Sequence, residues 1–348
     1  MKYIKFFFKS LYQNVCILTE KQHWLFALIV LLMSLVISVS PTLSSGYTTN
    51  VSTLINSNYE TAIDKGFAKL QADIDDSNSI VIENGVLSST GKFAMRTRDE
   101  VSDLTKVYEP NATYTHFDGE TEVEILRVYL VDLNGASSKE DSQLLSSFVN
   151  ISIYKSESAT SSTPKAVQSS FLILTRDSVH LSLYKAKGGT EETAAIGSLA
   201  GNFTDKAFKN GLNFKSLRGS TDKETKDKWI NFLNDSYTPI RITSTWTQVG
   251  IYTAINFGVI FFAGLIFFLF SRSKSSLQKF SFFEALKVSS FMSLTPAILS
   301  AVMTLIMPQF GVFLFLVVIC FRMMSAVSRI NGNSPSNNQQ GPVYKARS

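Results

Sequence analysis

The chain has 348 residues, 45% of them hydrophobic, and a net charge of +5. Residues 42–247 hold 21 Lys and Arg against 26 Asp and Glu, whereas the rest of the chain holds 12 basic and 2 acidic residues. Most of those 12 basic residues flank apolar stretches, where Lys and Arg mark the cytoplasmic side of a membrane, so they argue against a nucleic-acid-binding protein.

The two cysteines, Cys16 and Cys320, both lie outside the acidic middle segment. That segment therefore has no disulfide and must rely on its own apolar core, although we expect it to face outward. An exported domain of this size without disulfides suits a Gram-positive bacterium better than a eukaryotic secretory route.

Residues 1–23 mix lysines with aromatic and aliphatic residues. They are predicted either as a basic amphipathic segment in the cytoplasmic headgroup region or as an ordinary basic flank. Residues 24–43 carry no charge, and about 20 apolar residues are enough to cross a bilayer. We interpret them as transmembrane helix 1, an uncleaved anchor, because Pro41 directly after Ser40 disfavours cleavage; a cleaved signal peptide is the alternative.

Residues 44–247 are predicted to form a mixed α+β extracytoplasmic domain. Apolar residues spaced by three or four predict an amphipathic helix over residues 55–74. Asn-Gly within residues 83–86 predicts a turn. Short apolar and alternating runs predict strands at 123–133, 148–155, 171–175 and 179–184, with a hairpin turn between the last two.

The same domain is predicted to end in a helix. Thr221 and Glu224 form a capping-box pattern, and the helix that follows buries Trp229. A loop rich in Ser and Thr is predicted between residues 155 and 170.

The C-terminal third is predicted to cross the membrane three more times, at residues 248–271, 284–307 and 309–329. Residues 272–283 form a basic loop, and residues 330–348, rich in Asn, Ser, Gln and Gly, a disordered tail. The N-terminus, this loop and the tail are basic, so both termini are predicted to be cytoplasmic. The fold class is therefore a bundle of four transmembrane helices with an α+β domain outside.

Small residues recur along one face of two predicted spans and predict helix-packing seams, because they let helices approach closely. They are Gly250, Ala254 and Gly258 in the second span, and Ser289, Ser293, Ala297, Ser300 and Thr304 in the third. Asn256 is expected to hydrogen-bond across such a seam. Pro296 is expected to kink the third span and to free a backbone carbonyl that Ser or Thr neighbours satisfy.

Arg322 is the one candidate for a charge inside the membrane. It lies 12 residues past Phe310, roughly 18 Å along a helix. A charge at that depth indicates a functional site by default, but a long side chain can also snorkel to the inner headgroups, and we favour that anchoring interpretation.

Catalysis finds little support in the sequence. The three histidines are scattered, and His180 is expected to be solvated on the polar face of a strand. His116, near Asp118 and Glu120, is more typical of a surface turn than of a metal site. We therefore predict no enzyme activity, no catalytic, cofactor-binding or metal site, and no cofactor.

Two short motifs resemble a known family: ENGVL at residues 83–87 and SLTPA at residues 293–297. Together with the Phe-rich basic start, one span, an outer domain and three closing spans, they resemble the bacterial membrane-protein family called DUF1189. Some of its members are named maltodextrin utilization proteins. The resemblance carries no catalytic residue, and the outer domain of this chain is longer than is usual in that family.

The sequence leaves more than one function open. The first is a non-enzymatic accessory or scaffold subunit of a transport or cell-envelope complex in the plasma membrane, with another membrane protein as partner; the resemblance implies maltodextrin uptake. The second is a membrane-anchored sensor whose outer domain binds a small molecule or glycan, with Trp229 and Trp246 as stacking surfaces. An intramembrane enzyme is disfavoured, since paired acids or a histidine at depth are missing from the sequence.

Overall fold

The computed structural model describes residues 2–19, 23–56, 62–102, 110–118, 121–153, 170–184, 195–203, 208–273 and 279–330. The chain divides into two compact units. The helical unit comprises Met1–Tyr47 and Ser244–Ser348, and the α/β unit comprises Thr48–Thr243.

The described helices and strands follow one another as a helical start, a mixed middle and a helical end. The helices are α1 (Lys2–Tyr12), α2 (Asn14–Thr19), α3 (Trp24–Thr48), α4 (Val51–Asn56), α5 (Ile63–Asp73), α6 (Arg98–Ser102), α7 (Lys139–Ile153), α8 (Asp222–Ser271), α9 (Phe282–Met292), α10 (Leu294–Ile306) and α11 (Gly311–Ile330). The strands are β1 (Ile80–Glu83), β2 (Val86–Ser89), β3 (Ala112–Asp118), β4 (Thr121–Val131), β5 (Ser170–Thr175), β6 (Ser178–Tyr184), β7 (Ala195–Asn202) and β8 (Leu212–Asn213).

Four helical stretches are long and apolar enough to cross a membrane, as predicted: α3, the apolar part of α8, α9 with α10, and α11. α3 continues past Pro41 to Thr48. The second span is not a separate helix, because α8 starts at Asp222 and contains both the predicted capped helix and the span. The third span is interrupted at Ser293, between α9 and α10.

The α/β unit contains two sheets. The smaller has the strand order β2-β1-β8, and the larger β3-β4-β5-β6-β7. In the larger sheet β4 and β5 are parallel, and the other neighbours are antiparallel. Asn84 and Gly85 have φ angles of 52° and 76° and form the tight turn between β1 and β2 that the Asn-Gly pair predicts.

In the described structure the larger sheet is covered on one face, and on its second face around β4 and β5. One face lies on the main core, where Phe67 and Trp229 stack with ring centroids 5.0 Å apart. The other face carries Tyr129, Phe171 and Ile173, which pack with residues of α6 and α7. His180 of β6 lies on the second face beside Ile173 of β5 and is partly buried there.

The strand predicted at residues 148–155 is wrong, since residues 148–153 belong to α7; residues 154 and 155 lie outside the described part of the chain. Val149, Ile151 and Ile153 alternate as in a strand, but Glu140 and Asp141 supply the acidic first turn of a helix. The strands predicted at 123–133, 171–175 and 179–184 are confirmed as β4, β5 and β6, whereas β3 and β7 were not predicted.

Other predictions of the sequence fall partly or wholly outside the described residues. The helix predicted over 55–74 corresponds to α4 and α5, with residues 57–61 outside the description. The Ser- and Thr-rich loop, the tail and residues 274–278 of the basic loop also lie almost wholly outside it.

Candidate functional site

Arg322, on α11, donates all five of its N–H groups within the helical unit. Nε and Nη2 lie 3.1 and 2.9 Å from Oδ1 of Asn14, and Nη2 also lies 2.6 Å from the carbonyl of Ser10. Nη1 lies 3.1 Å from the carbonyl of Met292 and 2.8 Å from the hydroxyl of Thr295. A guanidinium has five donors in a fixed plane, so this set satisfies it completely.

The acceptors around Arg322 are neutral, but two of them lie at the C-terminal ends of helices. Ser10 lies in the last turn of α1, and Met292 is the last residue of α9. The last four carbonyls of a helix lack helical partners and carry the negative end of its dipole. The negative ends of these two carbonyl dipoles therefore face the guanidinium in place of a carboxylate.

The carbonyl of Met292 is available because of Pro296. In a continuous helix that carbonyl would accept from the N–H of the residue four positions later, and proline has none. The sequence predicted that neighbouring hydroxyls would satisfy the freed carbonyl, but Arg322 does so instead. The Ser293 hydroxyl donates to the carbonyl of Ser290.

Thr295 and Asn14 each accept a hydrogen bond from Arg322 and also donate one to a backbone carbonyl. The Thr295 hydroxyl accepts from Arg322 and donates to the carbonyl of Leu11, in the last turn of α1. Nδ2 of Asn14 donates to the backbone carbonyl of Arg322, at 3.3 Å. We call these residues, Ser10, Leu11, Asn14, Met292, Thr295 and Arg322, the arginine node.

The N-terminal helices pack against the rest of the helical unit, which the sequence did not predict. Phe6 is buried, and its ring contacts Phe26 and Phe291 at centroid distances of 6.2 and 5.0 Å. Cys16 is also buried, and its thiol donates to the carbonyl of Gln13. The signal in the sequence was the amide pair Gln13 and Asn14 in an otherwise apolar run over residues 11–18.

The predicted seam of the third span is buried along its whole length. Ser289, Ser293, Ala297, Ser300 and Thr304 are each at most 8% exposed. A Cβ on Gly264 of α8 would lie 2.9 Å from the hydroxyl of Ser289, and one on Gly311 of α11 would overlap that of Thr304. This face therefore packs against two other helices of the same unit.

The predicted seam of the second span makes no such contact among the described residues. A Cβ on Gly250 or Gly258 would meet no described atom within 4 Å, and Ala254 is exposed. The spacing of the small residues predicted a close helix–helix contact at these positions. The close contacts of α8 are instead made at Gly264 and at Thr245, which lies next to Gly46.

Asn256 lies on the buried side of the same helix. Its Nδ2 donates to the hydroxyl of Ser38 on α3, at 2.9 Å, and the side chain is 1% exposed. Its Oδ1 has no hydrogen-bond partner among the described atoms. The expected bond across a helix interface is therefore made to α3, by the amide nitrogen.

Two residues of the α/β unit lie differently from what the sequence predicted. His180 pairs with Ile173 across β6 and β5, and burial lowers its pKa to about 4. Trp229 is fully buried, and its Nε1 donates to Oε1 of Gln71, at 3.1 Å. His180 is thus largely buried rather than fully solvated, and Trp229 offers no ring to a sugar.

Among the described residues, no group of three or more His, Cys, Asp or Glu is placed to hold a metal ion. His116 lies on β3, and its Nε2 is 2.8 Å from Nζ of Lys65. Comparisons with protein-family models, with curated proteins and with solved structures found no match to this chain. The resemblance to DUF1189 therefore stays a prediction from the sequence.

Proposed function

We propose that this chain is a non-enzymatic multi-pass membrane protein that serves as an accessory or scaffold subunit of a transport or cell-envelope complex. The arginine node is the observation that carries the proposal. A charge inside the membrane usually belongs to a substrate path or a proton relay. Here all five donors of Arg322 are used to join helices of its own chain, as a structural role requires.

Charge supports a topology with both termini in the cytoplasm and the α/β unit outside. Lys5, Lys9, Arg272, Lys279 and Arg329 flank the apolar helices on one side of this topology, as the positive-inside rule requires. At the opposite ends of the first two apolar spans, Nε1 of Trp246 donates to the hydroxyl of Tyr47, at 3.1 Å, and both rings are about half exposed. Paired aromatic residues of this kind suit a membrane–water interface.

The partner in this proposal is another membrane protein, and the resemblance makes a maltodextrin transporter the specific version. The face of α8 with Gly250, Ala254 and Gly258 suits a partner helix, because nothing described in the chain covers it and small residues permit close approach.

Crosslinking in cells, followed by purification of the tagged chain, tests this proposal. The wild-type chain is expected to recover one defined membrane protein repeatedly, and Gly250→Leu with Gly258→Leu is expected to lose it. Ile251→Leu, on a neighbouring exposed position, is the control and is expected to retain it. Recovery of no other membrane protein by the wild-type chain contradicts the proposal.

The alternative is a sensor whose outer unit binds a small molecule or glycan. A surface cleft favours it, between the end of α5 and the start of α8, where Gln71, Arg218, Thr221 and Asp222 form part of the lining. Its volume is about 150 Å³, room for roughly one sugar ring rather than a long glycan.

Titration of the full chain with maltose and maltodextrins tests the sensor. Trp24→Phe and Trp246→Phe leave Trp229, which donates to the cleft residue Gln71, as the only indole. A saturable change in its fluorescence supports the sensor, and an unchanged spectrum across millimolar sugar argues against it.

A further inference from the structure

Residues 2–19 contact the rest of the helical unit in two chemically different ways. Phe6 makes apolar contacts with Phe26 and Phe291. The polar contacts converge on Arg322, directly from Ser10 and Asn14 and through Thr295 from Leu11. Lipid chains replace apolar contacts between helices at little cost, because lipid is as apolar as leucine. The polar contacts therefore decide whether this segment stays in place.

The acceptors of the node match the shape of a guanidinium group. Oδ1 of Asn14 receives two N–H groups from one edge, and Ser10, Met292 and Thr295 receive the other three. An ammonium group has three donors on one nitrogen and no plane, so it fits such a fork poorly. The carbonyl dipoles of Ser10 and Met292 present negative charge to the guanidinium. A carboxylate, in contrast, would bind any cation.

We propose that these acceptors form a guanidinium-binding site, that Arg322 is its built-in ligand, and that occupancy of this site holds residues 2–19 against α9 and α10. The inference starts from the same arginine node as the function proposed above, but it requires neither a partner protein nor a particular orientation in the membrane, so each can fail without the other.

An empty site releases the segment to the lipid surface. Tyr3, Ile4, Phe8 and Tyr12 are already exposed on α1, and Lys5 is exposed among them. A helix with such a composition binds the headgroup region of an anionic membrane. Release also uncovers the thiol of Cys16, which is 7% exposed in the docked segment.

The rate at which a maleimide modifies Cys16 therefore reports docking. Cys320→Ser in the full-length protein, reconstituted in nanodiscs, leaves Cys16 as the only cysteine. Arg322→Ala is expected to increase the rate about tenfold or more, because the three hydrogen bonds from Arg322 to Ser10 and Asn14 are lost. Arg329→Ala, an exposed arginine on the same helix, is the matched control and is expected to leave the rate unchanged.

Free guanidinium or methylguanidinium, at millimolar concentrations that do not denature, is expected to restore slow modification of Arg322→Ala. Potassium and ammonium at the same ionic strength are expected to have no effect. Cys16 of Arg322→Lys is expected to be modified nearly as fast as Cys16 of Arg322→Ala. Because rescue requires a folded acceptor set, it also separates an empty site from a misfolded variant.

Two results overturn the inference. In the first, Arg322→Ala is modified as slowly as the wild-type protein, so the site does not hold the segment. In the second, modification is fast but guanidinium protects no better than potassium, so the acceptors do not form a guanidinium site. If Arg322→Ala cannot be purified folded, Asn14→Ala replaces it and is subject to the same first criterion.

Discussion

Nη1 of Arg322 lies 3.1 Å from the carbonyl oxygen of Met292, the oxygen that loses its helical donor because residue 296 is proline. Two features that the sequence presents as separate, a proline in the third span and an arginine in the fourth, thus compensate each other. The proline leaves an acceptor without a partner, and the arginine brings a charge that needs one.

This relationship predicts that the two residues are energetically coupled. Pro296→Ala restores an N–H that competes for the Met292 carbonyl, so Arg322→Ala is expected to cost less in that background. A coupling energy of about 1 kcal/mol is expected from thermal unfolding of the two single variants and the double variant in detergent. If the stability losses of the two single variants add up in the double variant, the freed carbonyl of Met292 does not contribute to the effect of Arg322.

Gly264 and Gly258 lie on the same helix and offer a matched comparison. A Cβ on Gly264 would lie 2.7 Å from the Leu286 side chain and 2.9 Å from the Ser289 hydroxyl, whereas one on Gly258 would meet no described atom within 4 Å. Gly264→Val is therefore expected to destabilise the fold by about 1–3 kcal/mol. Gly258→Val is expected to leave the unfolding midpoint of the isolated chain unchanged. If both variants lose the same stability, the packing face of α8 is not the one that contains Gly264.

The hydrogen bond between Asn256 and Ser38 predicts that substitutions of its two partners differ in their effect on stability. Ser38→Ala removes the acceptor of a buried amide whose Oδ1 already lacks a described partner, so it is expected to cost about 1–2 kcal/mol. Asn256→Leu removes the unsatisfied group altogether and is expected to cost less, and adding it to Ser38→Ala is expected to recover stability. Ser40→Ala, an exposed serine on α3, is the control; a double variant less stable than Ser38→Ala contradicts the prediction.

His180 predicts that the α/β unit loses stability in mild acid. The imidazole of the unfolded chain takes a proton near pH 6.5, while burial delays protonation in the folded chain until about pH 4. The unfolded state therefore binds more protons between these pH values. The contribution of His180 to the free energy of unfolding is fully present above pH 6.5 and is lost as the pH falls towards 4. Because the side chain keeps some exposure to solvent, the loss is expected to be about 1–3 kcal/mol.

Denaturant titrations at several pH values, followed by Trp229 fluorescence in the Trp24→Phe and Trp246→Phe background, measure this loss. His180→Gln is expected to flatten the dependence on pH between 6.5 and 4. His116→Gln, on β3 of the same sheet, is the control and is expected to keep it. An unchanged slope in His180→Gln assigns the acid sensitivity to other groups.

Local patterns in the sequence predicted those parts of the fold whose cause is local. Thr221 caps the start of α8 through the N–H of Glu224, and Asn84-Gly85 forms a two-residue turn. They did not distinguish α7 from a strand, because Val149, Ile151 and Ile153 fit a period of two. Nor did they predict the partial burial of His180, because it depends on the neighbours that β6 acquires in the sheet, such as Ile173 of β5.

The sequence by itself determined that four stretches are long and apolar enough to cross a membrane, since length and hydropathy are sums over neighbouring residues. It also determined that Pro296 would release a carbonyl. Only the tertiary structure decided what binds that carbonyl, and that Asn14 and Arg322, separated by 308 positions, satisfy each other. Hydrogen bonds depend on distance and angle in space, and no local periodicity encodes a partner so far along the chain.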